Sequence, residues 1–275
     1  MPRDEKQGPE SVVDSSRSVS AVCRLDTVDS TNTYARRNLD RLTDREIVVA
    51  DVQTQGHGRL GRRWLSFGPG NLTASLVLKP FREAARASEL ANLTQHTALA
   101  VSDTIERYGP HTAVKWPNDV LVGGAKIAGA LSECVIQGDV LLGCILGIGV
   151  NLNASVREME SVDQEATSLA VQLGAAVDRD VFLDRLLERF FEGYEALLDR
   201  GFPAIRDRYK AKNAFLGSRI AVNSMTERYC GVALDVDQNG ALVLLDDCGS
   251  EQHVCIGDVQ GDLRAITGDT GNRHG

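Results

Sequence analysis

The sequence predicts an α+β fold: a mixed or antiparallel sheet with helices, followed by a small C-terminal β-barrel. Two observations carry this reading. The strand-like runs are joined by glycine turns and do not alternate regularly with helices, which argues against a doubly wound nucleotide fold. From Asn213 onward the texture changes to short β-rich pieces separated by glycine.

Taken in order, residues 1–20 are polar and predict a disordered tail, and the ordered chain is expected to begin near Val22. Ser30-Thr31-Asn32-Thr33 offers N-caps for a helix over Thr33–Leu42. Glu46–Val52 (EIVVADV) is a short β-branched run, hence a strand. Gln53–Gly70 holds four glycines before Pro69, three arginines and a tryptophan, and predicts a long loop. Leu72–Leu78 is a strand closed by Lys79-Pro80. Ala87–Tyr108 carries Leu90, Leu93, Val101 and Ile105 near helical spacing and stops at Gly109-Pro110. Strands follow at Ala113–Trp116, Asp119–Val122 and Lys126–Ile136, with hairpin turns at Gly123-Gly124 and Gly138-Asp139. Val140–Leu152 is almost wholly apolar and predicts a central strand buried on both faces. Val181–Leu198 is an amphipathic helix, and Pro203–Lys212 a shorter one. Strands at Arg219–Val222, Tyr229–Val236, Ala241–Leu245 and Gln252–Ile256 make up the terminal unit. The expected divisions are a tail at 1–20, a main unit at 21–212, a β unit at 213–266 and a frayed end at 267–275.

The 275 residues carry 30 Lys+Arg and 38 Asp+Glu, a net charge of −8. That balance argues against a protein built chiefly for nucleic-acid or membrane-surface binding. No apolar run reaches the roughly 18–20 residues that span a bilayer, and the polar N-terminus lacks a signal-peptide core. Six cysteines without any CxxC read as reduced, mostly buried thiols of a cytosolic protein, and their spacing does not suit zinc. A disulfide between Cys248 and Cys255 is the weaker alternative. Residues 213–266 contain three basic and eight acidic residues, so the terminal unit is acidic.

The chemistry concentrates in four segments. Gly56-His57-Gly58-Arg59-Leu60-Gly61-Arg62-Arg63-Trp64 combines glycines that let backbone approach a ligand, guanidinium forks for carboxylate or phosphate, and a flat aromatic face. The same composition suits a solvated loop or an RNA contact, and the Walker A pattern is missing. Lys115-Trp116-Pro117-Asn118-Asp119 puts polar groups just past a strand end, where they are equally good turn formers. Lys126-Ile127-Ala128-Gly129 opens a strand, and a lysine there also fits a snorkelling edge residue. Gly147-Ile148-Gly149-Val150-Asn151 leaves a bare patch on one strand face that could take a flat ligand, or mark a bulge.

These segments, with Asp29-Ser30-Thr31-Asn32 before them and Gln53-Thr54-Gln55 leading into the Gly/Arg loop, together resemble the biotin–protein ligases over residues 25–155. Thr167-Ser168-Leu169 and the terminal β unit resemble that family more weakly. The resemblance implies a class II synthetase-like catalytic domain, with the terminal β-barrel of SH3-like form. It implies a two-step reaction: biotin and MgATP give biotinyl-5′-AMP and pyrophosphate, and a lysine of a biotin carboxyl carrier domain then takes the biotinyl group. ATP and Mg2+ are the implied cofactors, with no protein-held metal.

By the same resemblance Ser30, Thr31, Asn32, Gln53, Gly56, His57, Gly129, Gly147 and Gly149 form the biotin pocket. Arg59 and Lys126 serve the carboxylate and α-phosphate, Arg62 and Arg63 the pyrophosphate, and Lys115 is a further cation. Trp64, Asn118 and Asn151 contact the nucleotide, and Asp119 orients the acceptor amine. His57 stands where many members have arginine, which predicts weaker retention of the adenylate that improves as pH falls. The polar residues before Val22 are too few for the DNA-binding domain some relatives carry, so no operator binding is expected. Exposed strand edges could pair two copies into a homodimer. A lipoate or octanoate ligase of the same fold, or a non-catalytic biotin or nucleotide sensor, are the competing readings.

Overall fold

A computed structural model describes residues 19–79 and 92–261. The expected tails at 1–18 and 262–275, and the expected start of the second helix at Ala87, lie outside the described residues. A seven-stranded sheet forms the body, built from β1 (Ala21–Val28), β2 (Glu46–Gln53), β3 (Leu72–Leu78), β4 (Ala113–Lys115), β5 (Asp119–Val122), β6 (Ala125–Gln137) and β7 (Val140–Val150) in the order β1-β2-β3-β7-β6-β5-β4. The apolar strand β7 is thus central, as its composition requires, although its outer end from Val140 to Leu142 is not buried. The turns between β5 and β6 and between β6 and β7 use left-handed Gly123, Gly124 and Gly138.

The sheet is mixed, not a pure run of hairpins. β1 pairs with β2 in parallel, joined by α1 (Thr31–Arg37). Strand β1 has no counterpart in the sequence reading because it is an edge strand whose polar residues Arg24, Asp26 and Thr27 dilute the apolar pattern. Ser30 caps α1 through its hydroxyl, which accepts from Thr33 N at 3.5 Å, so the helix starts two residues earlier than expected. Leu39 and Leu42 follow it in a turn and are still buried, with Ala35, Val48, Val77 and Ile145, in a small core on the α1 side.

The opposite face carries the main core under α2 (Leu93–Glu106) and α5 (Arg179–Arg200). Asp178 caps α5 by accepting from Asp180 N and Val181 N, and left-handed Gly201 ends it. Two short helices, α3 (Val156–Glu160) and α4 (Leu169–Leu173), precede α5. The Ser155–Glu158 capping box and the Ser168 cap were the available signals for them.

Beyond α6 (Arg206–Lys212), strands β8 (Arg219–Asn223), β9 (Arg228–Val236), β10 (Leu242–Leu245), β11 (Glu251–Val254) and β12 (Asp258–Gln260) form an antiparallel sheet in the order β11-β10-β9-β8-β12. Its apolar residues belong to the main core, so the two sheets share one interior. Trp116 Nε1 and Gln95 Nε2 both donate to Gly240 O, at 3.0 and 2.9 Å, and Tyr209 Oη donates to Pro117 O at 2.9 Å. All six cysteines are free, and the expectation of mostly buried thiols fails. Cys134, Cys230, Cys248 and Cys255 are exposed, because strand alternation and turns direct them outward. No helix among the described residues is long and apolar enough to cross a membrane.

Candidate functional site

Register brings three of the four chemical segments together. Lys115 pairs with Asp119, Asp119 with Gly129, Gly129 with Gly149, and Gly149 with Thr73, so one row runs across β4, β5, β6, β7 and β3 on the same face. The alternating residues Val114, Val120, Ala128 and Val150 point the other way into the main core. This face lines an open cleft that also takes in α1 and the Gly/Arg segment.

At one end lies a hydrogen-bonded polar chain. Gln53 Oε1 accepts from Thr31 N at 2.8 Å and from Thr31 Oγ1 at 3.0 Å. Ser75 Oγ stands 2.7 Å from Thr31 Oγ1 and 2.5 Å from Asn32 Oδ1. Asn32 Nδ2 then donates to Glu133 Oε2 at 2.7 Å. Ser30, Thr31, Asn32 and Ser75 are all buried, so each polar atom needs these partners.

The Gly/Arg segment is a narrow hairpin strap, not an open loop. Trp64 N donates to Gly56 O at 2.9 Å, His57 bridges Arg63, and Gly58 N donates to Arg62 O at 2.7 Å. A tight 3-10 turn at Arg59–Gly61 closes it, with Leu60 at φ 55° and Gly61 at φ 72°. The strap lies against β7 through Trp64. A Cβ on Gly149 would stand 2.4 Å from the Trp64 ring, and one on Gly147 would stand 2.6 Å from Asn32 Oδ1. The bare patch on β7 is therefore what lets Asn32 and Trp64 seat directly on the strand backbone.

The cations converge between strap and sheet. Lys126 Nζ lies 2.9 Å from Asp119 Oδ1 and 5.7 Å from the centre of the Trp64 ring. Arg59 Nη1 donates to Asn118 Oδ1 at 3.1 Å. Burial draws the Arg59 guanidinium below its ordinary pKa, and the nearby carboxylates of Asp119 and Asp258 oppose that shift. Asp258 comes from β12 in the second sheet. It accepts from Arg62 Nη2 at 2.5 Å and lies 3.5 Å from Lys115 Nζ. Cations thus outnumber carboxylates here, which suits a polyanionic ligand.

Most predicted site residues line the cleft: Ser30, Thr31, Asn32, Gln53, His57, Arg59, Arg62, Arg63, Trp64, Asn118, Asp119, Lys126, Gly129, Gly147 and Gly149. Three stand behind it. Gly56 is packed under Trp64 O and the Gln53 side chain, leaving no room for a Cβ. Asn151 donates its amide to Thr167 O at 3.1 Å. Lys115 faces Asp258. The sequence reading did not anticipate Ser75, Glu133 or Asp258. Thr73, Gln164 and Gly257 were also missed, and they line the cleft with Asp258.

Among the described residues no group of three or more His, Cys, Asp or Glu side chains is arranged to hold a metal ion.

Comparison with known proteins is consistent from three directions. The profile of the Biotin/lipoate A/B protein ligase family matches residues 25–151. The chain is 37% identical over 230 residues to a biotin--[acetyl-CoA-carboxylase] ligase of Paracoccus denitrificans, covering 81% of this chain and 93% of that protein. It is 32% identical over 200 residues to the bifunctional ligase/repressor BirA of Bacillus subtilis, covering 72% of this chain and 61% of that longer protein. Among solved structures it resembles a biotin protein ligase from Aquifex aeolicus in complex with biotin and ATP, with TM-score 0.75, 29% identity, and 87% and 97% of the two chains covered.

Proposed function

The chain belongs to the biotin–protein ligases of the biotin/lipoate ligase family, and from that premise we propose how its cleft carries out ATP-dependent biotinylation. One observation carries the reading: Arg59 of the glycine-bearing strap and Lys126 of the sheet line one cleft, beside a buried polar chain at Thr31 and Gln53.

Biotin's carboxylate is ionised near neutral pH, so forming the adenylate needs no general base. The obstacle is an anion approaching a polyanion, and fixed cations lower that barrier. The carboxylate oxygen attacks the α-phosphorus and pyrophosphate leaves. We assign Arg59 and Lys126 to the carboxylate and α-phosphate, and Arg62 and Arg63 to the departing pyrophosphate. Magnesium enters with ATP on its phosphates. Ser30, Thr31 and Gln53 take the ureido ring, which a chain of hydroxyl and amide groups suits better than the alkyl chain of lipoate or octanoate. Asn32, Gly129, Gly147 and Gly149 shape that pocket, and His57 stands at its flap side. Trp64 and Asn118 face the nucleotide. Lys115, Gly56 and Asn151 support the site from behind, through Asp258, Trp64 and the Thr167 carbonyl.

In the second step a carrier-domain lysine, reference pKa about 10.4, loses its proton and attacks the acyl carbon, and AMP leaves. Asp119 orients that amine. Its pairing with Lys126 at 2.9 Å ties both steps to one carboxylate. We read residues 21–212 as the catalytic unit and the five-stranded sheet as an SH3-like unit that meets the carrier or ATP. A homodimer would pair through the edge strand β1. We assign the reaction to the cytoplasm, a reading supported by six free thiols.

Incubation with biotin, MgATP and a carrier domain tests the reading. Pyrophosphate release and a biotin-sized mass gain on one carrier lysine are expected. Tight biotin binding without either would make the protein a sensor instead.

A further inference from the structure

Glu133 sits where three elements meet, and nothing in the mechanism above uses it. It projects from β6 with its side chain 21% exposed. Oε2 accepts from Asn32 Nδ2 at 2.7 Å and lies 3.5 Å from His57 Nε2. Oε1 accepts from Arg36 Nη2, one helical turn beyond Asn32 on α1. One carboxylate therefore holds the α1 start, the strap and the sheet together.

The arrangement has two consequences for the cleft. First, it dictates which way the Asn32 amide points. Nδ2 faces a carboxylate that can only accept, so Oδ1 is turned to Ser75 at 2.5 Å, and through Ser75 to Thr31 and Gln53. Second, it ties the strap to the sheet, because Oε2 also stands 3.5 Å from His57 Nε2 while Oε1 is taken by Arg36. Two of the neighbouring strap cations are committed elsewhere, Arg59 to Asn118 and Arg62 to Asp258.

We infer that Glu133 is a positioning residue of the ligase reaction: it orients Asn32 in the biotin pocket and latches the strap through His57. This rests on the ligase reading. Removing the carboxylate frees the strap at His57 and lets the Asn32 amide turn, so the adenylate is held less long.

The test uses the full chain and synthetic biotinyl-5′-AMP. Release is followed by chase, alongside biotin KM and kcat for pyrophosphate formation. Glu133→Gln should release the adenylate about two- to fivefold faster, the size expected of a partly exposed contact, and raise biotin KM more than it lowers kcat. Glu133→Asp should recover part of the retention, and His57→Arg should release more slowly than the unmodified protein. His57→Gln, on the strap and outside the core, should speed release as well, which covers the case of a poorly folded Glu133 variant. Unchanged release in Glu133→Gln or His57→Gln overturns the latch. Failure of the unmodified protein to bind biotinyl-5′-AMP at all would fail the ligase reading with it, whereas tight binding with release unmoved by these variants fails the latch alone.

Discussion

Replacing Gly149 with alanine probes how the strap is seated. The new Cβ would stand 2.4 Å from Cε2 and Cζ2 of Trp64 and 2.9 Å from Cη2. Carbon atoms settle about 3.5–4.0 Å apart, so one partner must retreat by roughly 1 Å. Strand β7 cannot, because β3 and β6 hold it on both sides at this register. Trp64 must move, and the strap with it. Overpacking of this kind costs about 1–3 kcal/mol. Here the cost falls on the strap and not on the core, so Tm should change little. Affinity for a ligand held under the strap should fall about 5- to 150-fold, at roughly 1.4 kcal/mol per tenfold. Biotin KM and the release rate of biotinyl-5′-AMP measure this, and Trp64 fluorescence reports the displaced ring. The decisive comparison is Gly149→Ala in a Trp64→Ala background, where the added methyl should cost nothing further. Unchanged KM and release in the single variant, or equal damage in both backgrounds, would refute the reasoning.

Other consequences follow from the same geometry. Asp119→Asn leaves Lys126 without its carboxylate, so both half-reactions should slow in single-turnover assays, with transfer to the carrier slowing more; equal losses would remove the amine-orienting role. Asp258→Asn takes the counter-charge from Arg62 and Lys115, and ATP KM should rise about fivefold, an effect of about 1 kcal/mol discounted for the exposure of Arg62. Gly240→Ala forces a Cβ to 2.3 Å from Asn92 Nδ2 at φ 84°, and calorimetry should register a loss of about 1–3 kcal/mol with activity per folded molecule kept. Burial pushes the Asp235 carboxyl up, but the Lys210 hydrogen bond, the Val236 N–H and the Arg206 charge outweigh it and leave its pKa below the ordinary value. Its contribution is therefore present above about pH 4 and lost as pH falls through the lower folded value; urea midpoints at about pH 5 and pH 3 should converge in Asp235→Asn.

Much of this architecture was readable wherever burial is one-sided or complete. Leu72–Leu78 and Asp119–Val122 appear as strands with the boundaries their composition predicts, because an unbroken apolar run between turn residues has few other outcomes. Strand β12 escaped notice because three residues cannot display a period. The site divides the same way. Arg59, Lys126 and Asp119 announce themselves through neighbouring motif residues. Glu133 lies in the ordinary-looking strand β6 and matters because it meets Asn32 and His57, while Asp258 reaches the cleft from a second sheet. Ser75 was hidden for a different reason: it is a small polar residue in an apolar strand, and its worth lies in touching both Thr31 and Asn32.

The reach of β12 into the cleft bears on dissection of the protein. A fragment ending before Arg219 would strip Arg62 and Lys115 of the acid they share. Mutual repulsion of those bared positive groups would then spread the very surfaces that must close around substrate. Because the two sheets share one interior, such a piece would also lose part of its core, so a lone Asp258→Asn change in the full chain is what isolates the charge effect.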